Sequence, residues 1–234
     1  MEIAGRVLIT GTSRGLGLEF VRQYVQTGWR VYATCRNPER ALELSRLAAE
    51  NRDTLSLHPL DVSEPRHIWA LRQMLAGEPL DMLINNAGVL GPKEQGFGHT
   101  DADAWVYTLR VNTIAPLKMI EALADNLAAG GHRVAATVSS RMASISENDS
   151  GGYYIYRSSK AAVNAVVKSA AVDLAERGIS VVALHPGWVR TAMGGPEAEL
   201  DAAESVRRLR KILEEVGTQE SGSFFDVDGQ LIPW

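Results

Sequence analysis

Short apolar runs alternate with longer amphipathic stretches along the 234 residues of this chain. The run RVLIT (6–10) reads as a buried strand. From Gly15 to Thr27, Leu18, Val21 and Val25 recur on one helical face, and Gly28 stops the pattern. Further strands are expected in RVYATC (30–35), LSLHPLDV (55–62, strand and loop), DMLINN (81–86), RVAATVSS (133–140), ISVVALHPG (179–187) and GSFFDVDG (222–229). Helices are expected up to about Glu50, over Glu64–Ala76, from about Asp103 to Ala129, from about Tyr156 to Arg177, and over Asp201–Val216, where Asp201 and Glu204 have capping-box spacing. Apolar strands alternating with helices predict an α/β fold with a parallel sheet covered on both faces. With no linker, repeat or low-complexity segment, residues 1–234 read as a single doubly wound domain of about seven strands.

Composition narrows the possibilities little. Hydrophobic residues make up 45% and charged residues 22%, as in an ordinary soluble protein. The formal net charge of −4 gives no electrostatic case for nucleic acid or an anionic membrane. The basic run Arg207–Lys211 is followed by Glu214 and Glu215 and reads as a solvated helix face. Cys35 is the only cysteine, so no intrachain disulfide can form. The start MEIAGRVLIT lacks a basic segment followed by a long apolar run, and no stretch of about 18 apolar residues exists. A cytoplasmic protein with no membrane span is expected. The five histidines (His58, His67, His99, His132 and His185) show no metal-binding spacing, so no metal is expected.

In parallel sheets of this kind ligands bind beyond the carboxyl ends of the strands. The first strand ends in TGTSRGLG, which places Gly11, Gly15 and Gly17 between a strand and a helix. Glycines there allow a tight turn and close approach of backbone to a pyrophosphate, and the helix start adds N–H donors. The spacing is G-x-x-x-G-x-G. A purely structural turn is the plainer reading of glycines alone. The second strand ends in Cys35 followed by Arg36, with no carboxylate to hold ribose hydroxyls or repel a 2′-phosphate. Arg36, together with Arg14 in the glycine loop, favours NADP(H) over NAD(H).

Tyr156 and Lys160 are four residues apart and share a helical face. A nearby ammonium lowers the pKa of a phenol, which makes it a usable general acid or base for carbonyl reduction or alcohol oxidation. Tyr153 lies about 10 Å of helix rise from Lys160, against about 6 Å for Tyr156. Gly151 and Gly152 suggest that the helix has not begun at Tyr153. Tyr153 and Tyr154 are therefore assigned to a loop, where they shape the pocket mouth or simply pack. Ser139 and Ser140 end the preceding strand, and either hydroxyl could reach a substrate oxygen. Pro116 follows Asn112 by four residues and has no N–H to satisfy the Asn112 carbonyl. A kink there would free that carbonyl to hold a water linking it to Lys160; a kink with no further role is the plainer reading.

Taken in order, TGTSRGLG (10–17), LDV (60–62), NNAG (85–88), Asn112, SS (139–140), YRSSK (156–160) and HPGWVRT (185–191) resemble the short-chain dehydrogenase/reductase superfamily in its single-domain branch. The resemblance covers essentially the whole chain and implies a Rossmann-type fold. It implies that Gly11, Ser13, Arg14, Gly15, Leu16 and Gly17 surround the pyrophosphate and adenosine end of NADP(H). Arg36 would take the 2′-phosphate, Asp61 and Val62 the adenine, and Asn86 the adenosine ribose side, with Ala87 and Gly88 also against the cofactor. Pro186, Gly187, Val189 and Thr191 would flank the nicotinamide. Tyr156 would be the proton donor, Lys160 would lower its pKa and bind the nicotinamide ribose, Ser140 (Ser139 as runner-up) would hold the substrate oxygen, and Asn112 would complete a tetrad. The substrate would be a small carbonyl or alcohol. The resemblance also implies a homo-oligomer, dimer or tetramer, with the helices around Asn112 and after Tyr156 in contact.

Within the superfamily, SSRMASISENDSGGYYIYRSSKAAVN, GWVRTAMGGP and the ending FFDVDGQLIPW are similar to the C-factor and sniffer-type carbonyl reductase group. Two departures from the wider pattern stand out. The Ser140-to-Tyr156 interval is a few residues long, which adds loop at the rim. The stretch from Thr191 to Asp201 is short where relatives carry a substrate lid, which leaves about 191–234 as a small substrate region and an open, permissive site. The C-factor likeness implies an alternative, a signalling or interaction protein that binds NADP(H) with little turnover. Trp234 could pack on its own subunit or on a neighbour.

Overall fold

Successive residues of the first strand face opposite ways: Val7 and Ile9 enter one apolar core, Leu8 the other. A short run with no polar alternation fits a strand buried on both faces. The computed structural model describes residues 3–234; Met1 and Glu2, part of the segment read for a leader, lie outside the described residues. The strands are β1 (Arg6–Thr10), β2 (Arg30–Cys35), β3 (Leu55–Pro59), β4 (Met82–Asn85), β5 (Val134–Val138), β6 (Ser180–Leu184) and β7 (Phe224–Phe225). They form one parallel sheet in the order β3-β2-β1-β4-β5-β6-β7, the doubly wound arrangement expected. Strand order reverses between β1 and β4, and a crevice opens beyond their carboxyl ends.

Helices α1 (Gly15–Gln26), α2 (Leu42–Glu50), α3 (Pro65–Met74), α4 (Ala102–Leu109), α5 (Ala115–Ala128), α6 (Tyr154–Asp173) and α7 (Ala202–Glu215) connect the strands. Apolar residues of α1, α2 and α7 fill one core, and those of α3, α5 and α6 fill the other. The polar side of α7 is solvated: Arg207 and Arg208 pair with Glu204, and Arg208 also with Asp228. Among the described residues no helix is long and apolar enough to cross a membrane.

Three elements depart from the sequence expectation. The helix expected over 103–129 is α4 and α5 joined by a π turn at Arg110–Ile114, where Ala115 N donates to Arg110 O five residues back. Pro116 cannot close the ordinary bond to the Asn112 carbonyl, and the helix widens there. The helix carrying Tyr156 begins at Tyr154, which places Tyr154 in its first turn and not in the loop. Its α-helical part stops at Asp173, and a 3-10 turn over Ala175–Arg177 leads to Gly178 at φ +65°. The last strand shrinks to two residues because the Asp226 carboxylate accepts the amides of Asp228 and Gln230, turning the chain back. Beyond that turn Trp234 stacks on Phe224 of the same chain, ring centroids 5.7 Å apart.

Candidate active site

The crevice beyond β1 and β4 starts at a bolted loop pair. Thr10 ends β1, and its hydroxyl accepts from Asn86 N (3.1 Å) and Ala87 N (3.0 Å). Asn86 Nδ2 donates to Thr10 O (2.9 Å) and Gly11 O (3.1 Å). Gly11 has φ +73°, and a Cβ there would lie 2.8 Å from Ala87 Cα; a Cβ on Gly17 would lie 2.2 Å from Gly11 O. Both glycines are thus required for backbone to close on backbone. Helix α1 starts at Arg14 with no side-chain cap and no acidic residue in its first turn. Gly15, Leu16 and Gly17 line the crevice, so the free amides and positive end of the helix dipole are available to an anion there.

Arg14 and Arg36 both line the crevice, both are exposed, and neither is in an ion pair among the described residues. Asp61 and Val62 line it beyond β3. Burial alone would raise the Asp61 carboxyl, but hydrogen bonds from the Ser63 hydroxyl and amide, with Arg36 and His67 nearby, carry it below its ordinary pKa. The crevice holds about 1040 Å³, enough for an extended ligand. Its donor set and its glycine floor fit a dinucleotide with an extra phosphate.

Tyr156 and Lys160 project from α6 into the same space, the ammonium 5.9 Å from the phenol ring centroid. Lys160 is 5% exposed and donates to Val138 O at 2.7 Å. Burial lowers its pKa to about 8. Burial likewise raises Tyr156, against a hydrogen bond with the Ser140 hydroxyl that lowers it. Both groups are therefore pushed toward their neutral forms, and the lowering expected of Lys160 is not the dominant influence on the phenol. The two serines are used differently. Ser139 Oγ donates its proton to Asn164 Oδ1 (2.7 Å), whereas Ser140 Oγ accepts from Met142 N (3.2 Å) and keeps its proton to donate. The Asn112 side chain is engaged: Oδ1 accepts from Val89 N, and Nδ2 donates to Val89 O and Ser159 Oγ. Gly88 lies between them, since a Cβ there would be 3.3 Å from Asn112 Oδ1 and 3.6 Å from Lys160 Nζ.

Residues 5–201 match the short chain dehydrogenase family. The chain belongs to that family. It is 44% identical over 156 residues to the C-signal of Myxococcus xanthus, an overlap of 67% of this chain and 93% of that protein. The structure of the carbonyl reductase Sniffer of D. melanogaster superposes with a TM-score of 0.91 at 30% identity, covering all of both chains. An NADPH-bound carbonyl reductase from chicken fatty liver superposes with a TM-score of 0.89 at 31% identity, again over both full chains. As a short-chain dehydrogenase the protein is an oxidoreductase of the alcohol–carbonyl couple.

Most residues singled out in the sequence meet in this one short-chain dehydrogenase crevice. Ser140, Asn112, Gly187 and Val189 stand behind its lining, and Ser139 is on it. Tyr153 and Tyr154 are off the lining; the Tyr154 ring packs near Phe97, 6.4 Å between centroids. The residues from Thr191 to Asp201 form no helix, and a bridge between Val189 and Leu200 closes them into a small loop. The apolar lining was not anticipated: Leu90, Pro92, Tyr107, Val111 and Met193. Tyr107 and Val111 precede Asn112 on the same helical run, a proximity that could have flagged them. The loop after β4 has no periodicity and gave no such signal.

Proposed function

We propose that the chain is an NADP(H)-dependent carbonyl reductase or alcohol dehydrogenase in which Asn112, Ser140, Tyr156 and Lys160 act together. One observation carries this: the buried Tyr156–Lys160 pair shares its crevice with an uncapped glycine-rich helix start and two guanidinium groups that have no ion pair among the described residues. Bound NADP(H) supplies or accepts the hydride. Ser140 donates a hydrogen bond to the carbonyl oxygen, and Tyr156 Oη moves a proton to it. The Ser140 hydroxyl works against the burial that raises the Tyr156 pKa, which favours the phenolate needed in the reverse direction. Lys160 and the loop Pro186–Thr191 would hold the nicotinamide end, and Asn112 fixes Val89, which lines the crevice, and Ser159 behind it. Arg14 and Arg36 select the 2′-phosphate, a reading supported by the lack of any carboxylate at the end of β2 and by the NADPH-bound chicken reductase. The lid-free stretch after Thr191 suits loose selection among small carbonyl compounds.

The test is absorbance at the reduced-nicotinamide band, NADPH against NADH, over a panel of aldehydes, ketones and quinones. Tyr156→Phe is expected to lower NADPH-linked turnover about 10²- to 10⁴-fold while NADPH still binds. A variant that keeps most of the turnover overturns the catalytic assignment, and a preference for NADH overturns the arginine argument. The identity to the C-signal supports a second reading, a signalling or interaction protein that binds NADP(H) with little turnover. Biological activity that survives Tyr156→Phe would favour it.

A further inference from the structure

Gln95 belongs to the loop between β4 and α4, and it is 3% exposed. A buried side-chain amide must find partners for both of its ends. Its Nε2 donates to Leu90 O (3.0 Å) and Pro92 O (2.9 Å), and its Oε1 accepts from Tyr156 N (2.8 Å). Its backbone carbonyl accepts from Tyr154 N (3.1 Å). Leu90 and Pro92 line the crevice.

Helix α6 needs this help. Its first amides have no partner within the helix, and the N-cap Tyr153 supplies no side-chain cap. The chain enters through three consecutive left-handed residues: Gly151 at φ +62°, Gly152 at +64° and Tyr153 at +48°. For Tyr153 that conformation is costly, and its phenol oxygen accepts no cap hydrogen bond from the helix. Gln95 caps the helix from 61 positions away. Gly91, at φ +86°, folds the same loop over it; a Cβ there would meet Ile155 and Thr108 at 3.3 Å.

We propose that Gln95 is a positioning residue for the reaction: one amide fixes the backbone of Tyr156 against the Leu90–Pro92 rim, and so sets where the phenol meets a bound carbonyl. The proposal rests on Tyr156 as the proton donor. An amide is required because the two ends do opposite work. Glutamate keeps an acceptor for Tyr156 N but faces two carbonyls with no N–H donors. Leucine abandons both ends.

Gln95→Leu and Gln95→Glu, in the full chain, separate these roles. Gln95→Leu is expected to lower kcat about 10- to 100-fold, the cost of misplacing a reacting group by a fraction of a turn. Gln95→Glu is expected to place more of its loss in KM for the carbonyl substrate, raised about 10-fold, because the rim is released while the tyrosine stays held. NADPH affinity, read by fluorescence titration, stays within about threefold in both. Equal losses of kcat, KM and NADPH affinity in both variants would mark Gln95 as ordinary packing and overturn the proposal, as would wild-type kinetics in Gln95→Leu. If Gln95→Leu does not fold, the KM-against-kcat split in Gln95→Glu decides alone. Amide exchange at Tyr154 and Tyr156 needs no turnover: faster exchange in Gln95→Leu at an unchanged thermal midpoint supports the cap, and unchanged exchange overturns it. A wild-type protein without NADPH-linked turnover would sink the functional reading while leaving this exchange result intact.

Discussion

The two sides of the crevice are built from different materials. On the glycine-loop side, backbone closes on backbone: Gly11 against Ala87, Gly17 against Gly11, with Asn86 bridging both strand ends. On the opposite side, Leu90, Pro92, Tyr107, Val111 and Met193 present neutral side chains from a loop, a helix and a second loop. At Gly11 and Gly17 the first side tolerates almost no alternative residue, since a Cβ there collides with backbone. The second needs only neutral groups of suitable size. The first is therefore suited to a ligand that never changes, the second to substrates that do. Lys160 and Tyr156 line the crevice with both sides, and Gln95 stands behind Leu90 and Pro92.

The largest effect is expected at Lys160. Burial lowers Lys160 to about 8 from an ordinary 10.5. Between those two values the unfolded chain binds the proton that the folded chain has released. Folding therefore gains stability as pH rises through pH 8 to 10.5, on the order of 3 kcal/mol, and below pH 8 the cost of burying the ammonium is fully present. Lys160→Met should lower turnover about 10²-fold or more, and the wild-type-minus-variant difference in unfolding free energy should climb through that pH window. Chemical denaturation at a series of pH values without added nucleotide measures it. A flat difference would mean that the ammonium is solvated and that the two sides do not enclose it.

Gly17→Ala probes the backbone-built side. The new Cβ would be driven against Gly11 O and Asn86 Nδ2, at 2.2 and 2.5 Å. A stability loss of about 1–3 kcal/mol is expected, with NADPH affinity down about 10-fold or more as the helix start shifts. Thermal denaturation and fluorescence titration report the two effects. Unchanged NADPH affinity would show that the glycine loop is a structural turn and nothing else.

The contrast in materials also explains what could be read from the sequence. Gly11, Gly15 and Gly17 are visible because steric necessity restricts those positions to one residue type. Tyr156 and Lys160 are visible because their chemistry needs two particular groups one turn apart. The strands announce themselves because all-apolar runs permit little else. Gln95 was invisible: its importance comes from partners 61 positions away and from the left-handed entry into α6, neither of which leaves a local pattern. The π turn at Arg110–Ile114 was half visible, since Pro116 signals a missing donor but not how the helix absorbs the loss. The shortened last strand was misread because apolar Phe224 and Phe225 run straight into an Asp-x-Asp-Gly turn whose side-chain bonds outcompete the ladder.

The smallest effect is expected on the side-chain-built wall, and it discriminates best. Tyr107 lines the crevice yet is 43% exposed, so only part of its ring can contribute to binding. Tyr107→Ala removes apolar surface worth about 1 kcal/mol at most to a substrate lying against it, a roughly threefold to fivefold rise in KM. The glycine loop lies across the crevice, so the Kd for NADPH should not move. Large aromatic carbonyls should lose more than small aliphatic aldehydes, because only the former extend to this wall. Steady-state kinetics with a graded series of aldehydes tests the trend. A rise in KM that is the same for every substrate, or one matched by weaker NADPH binding, would mean that the two sides are coupled through α4 and that the division of labour between backbone and side chains is wrong.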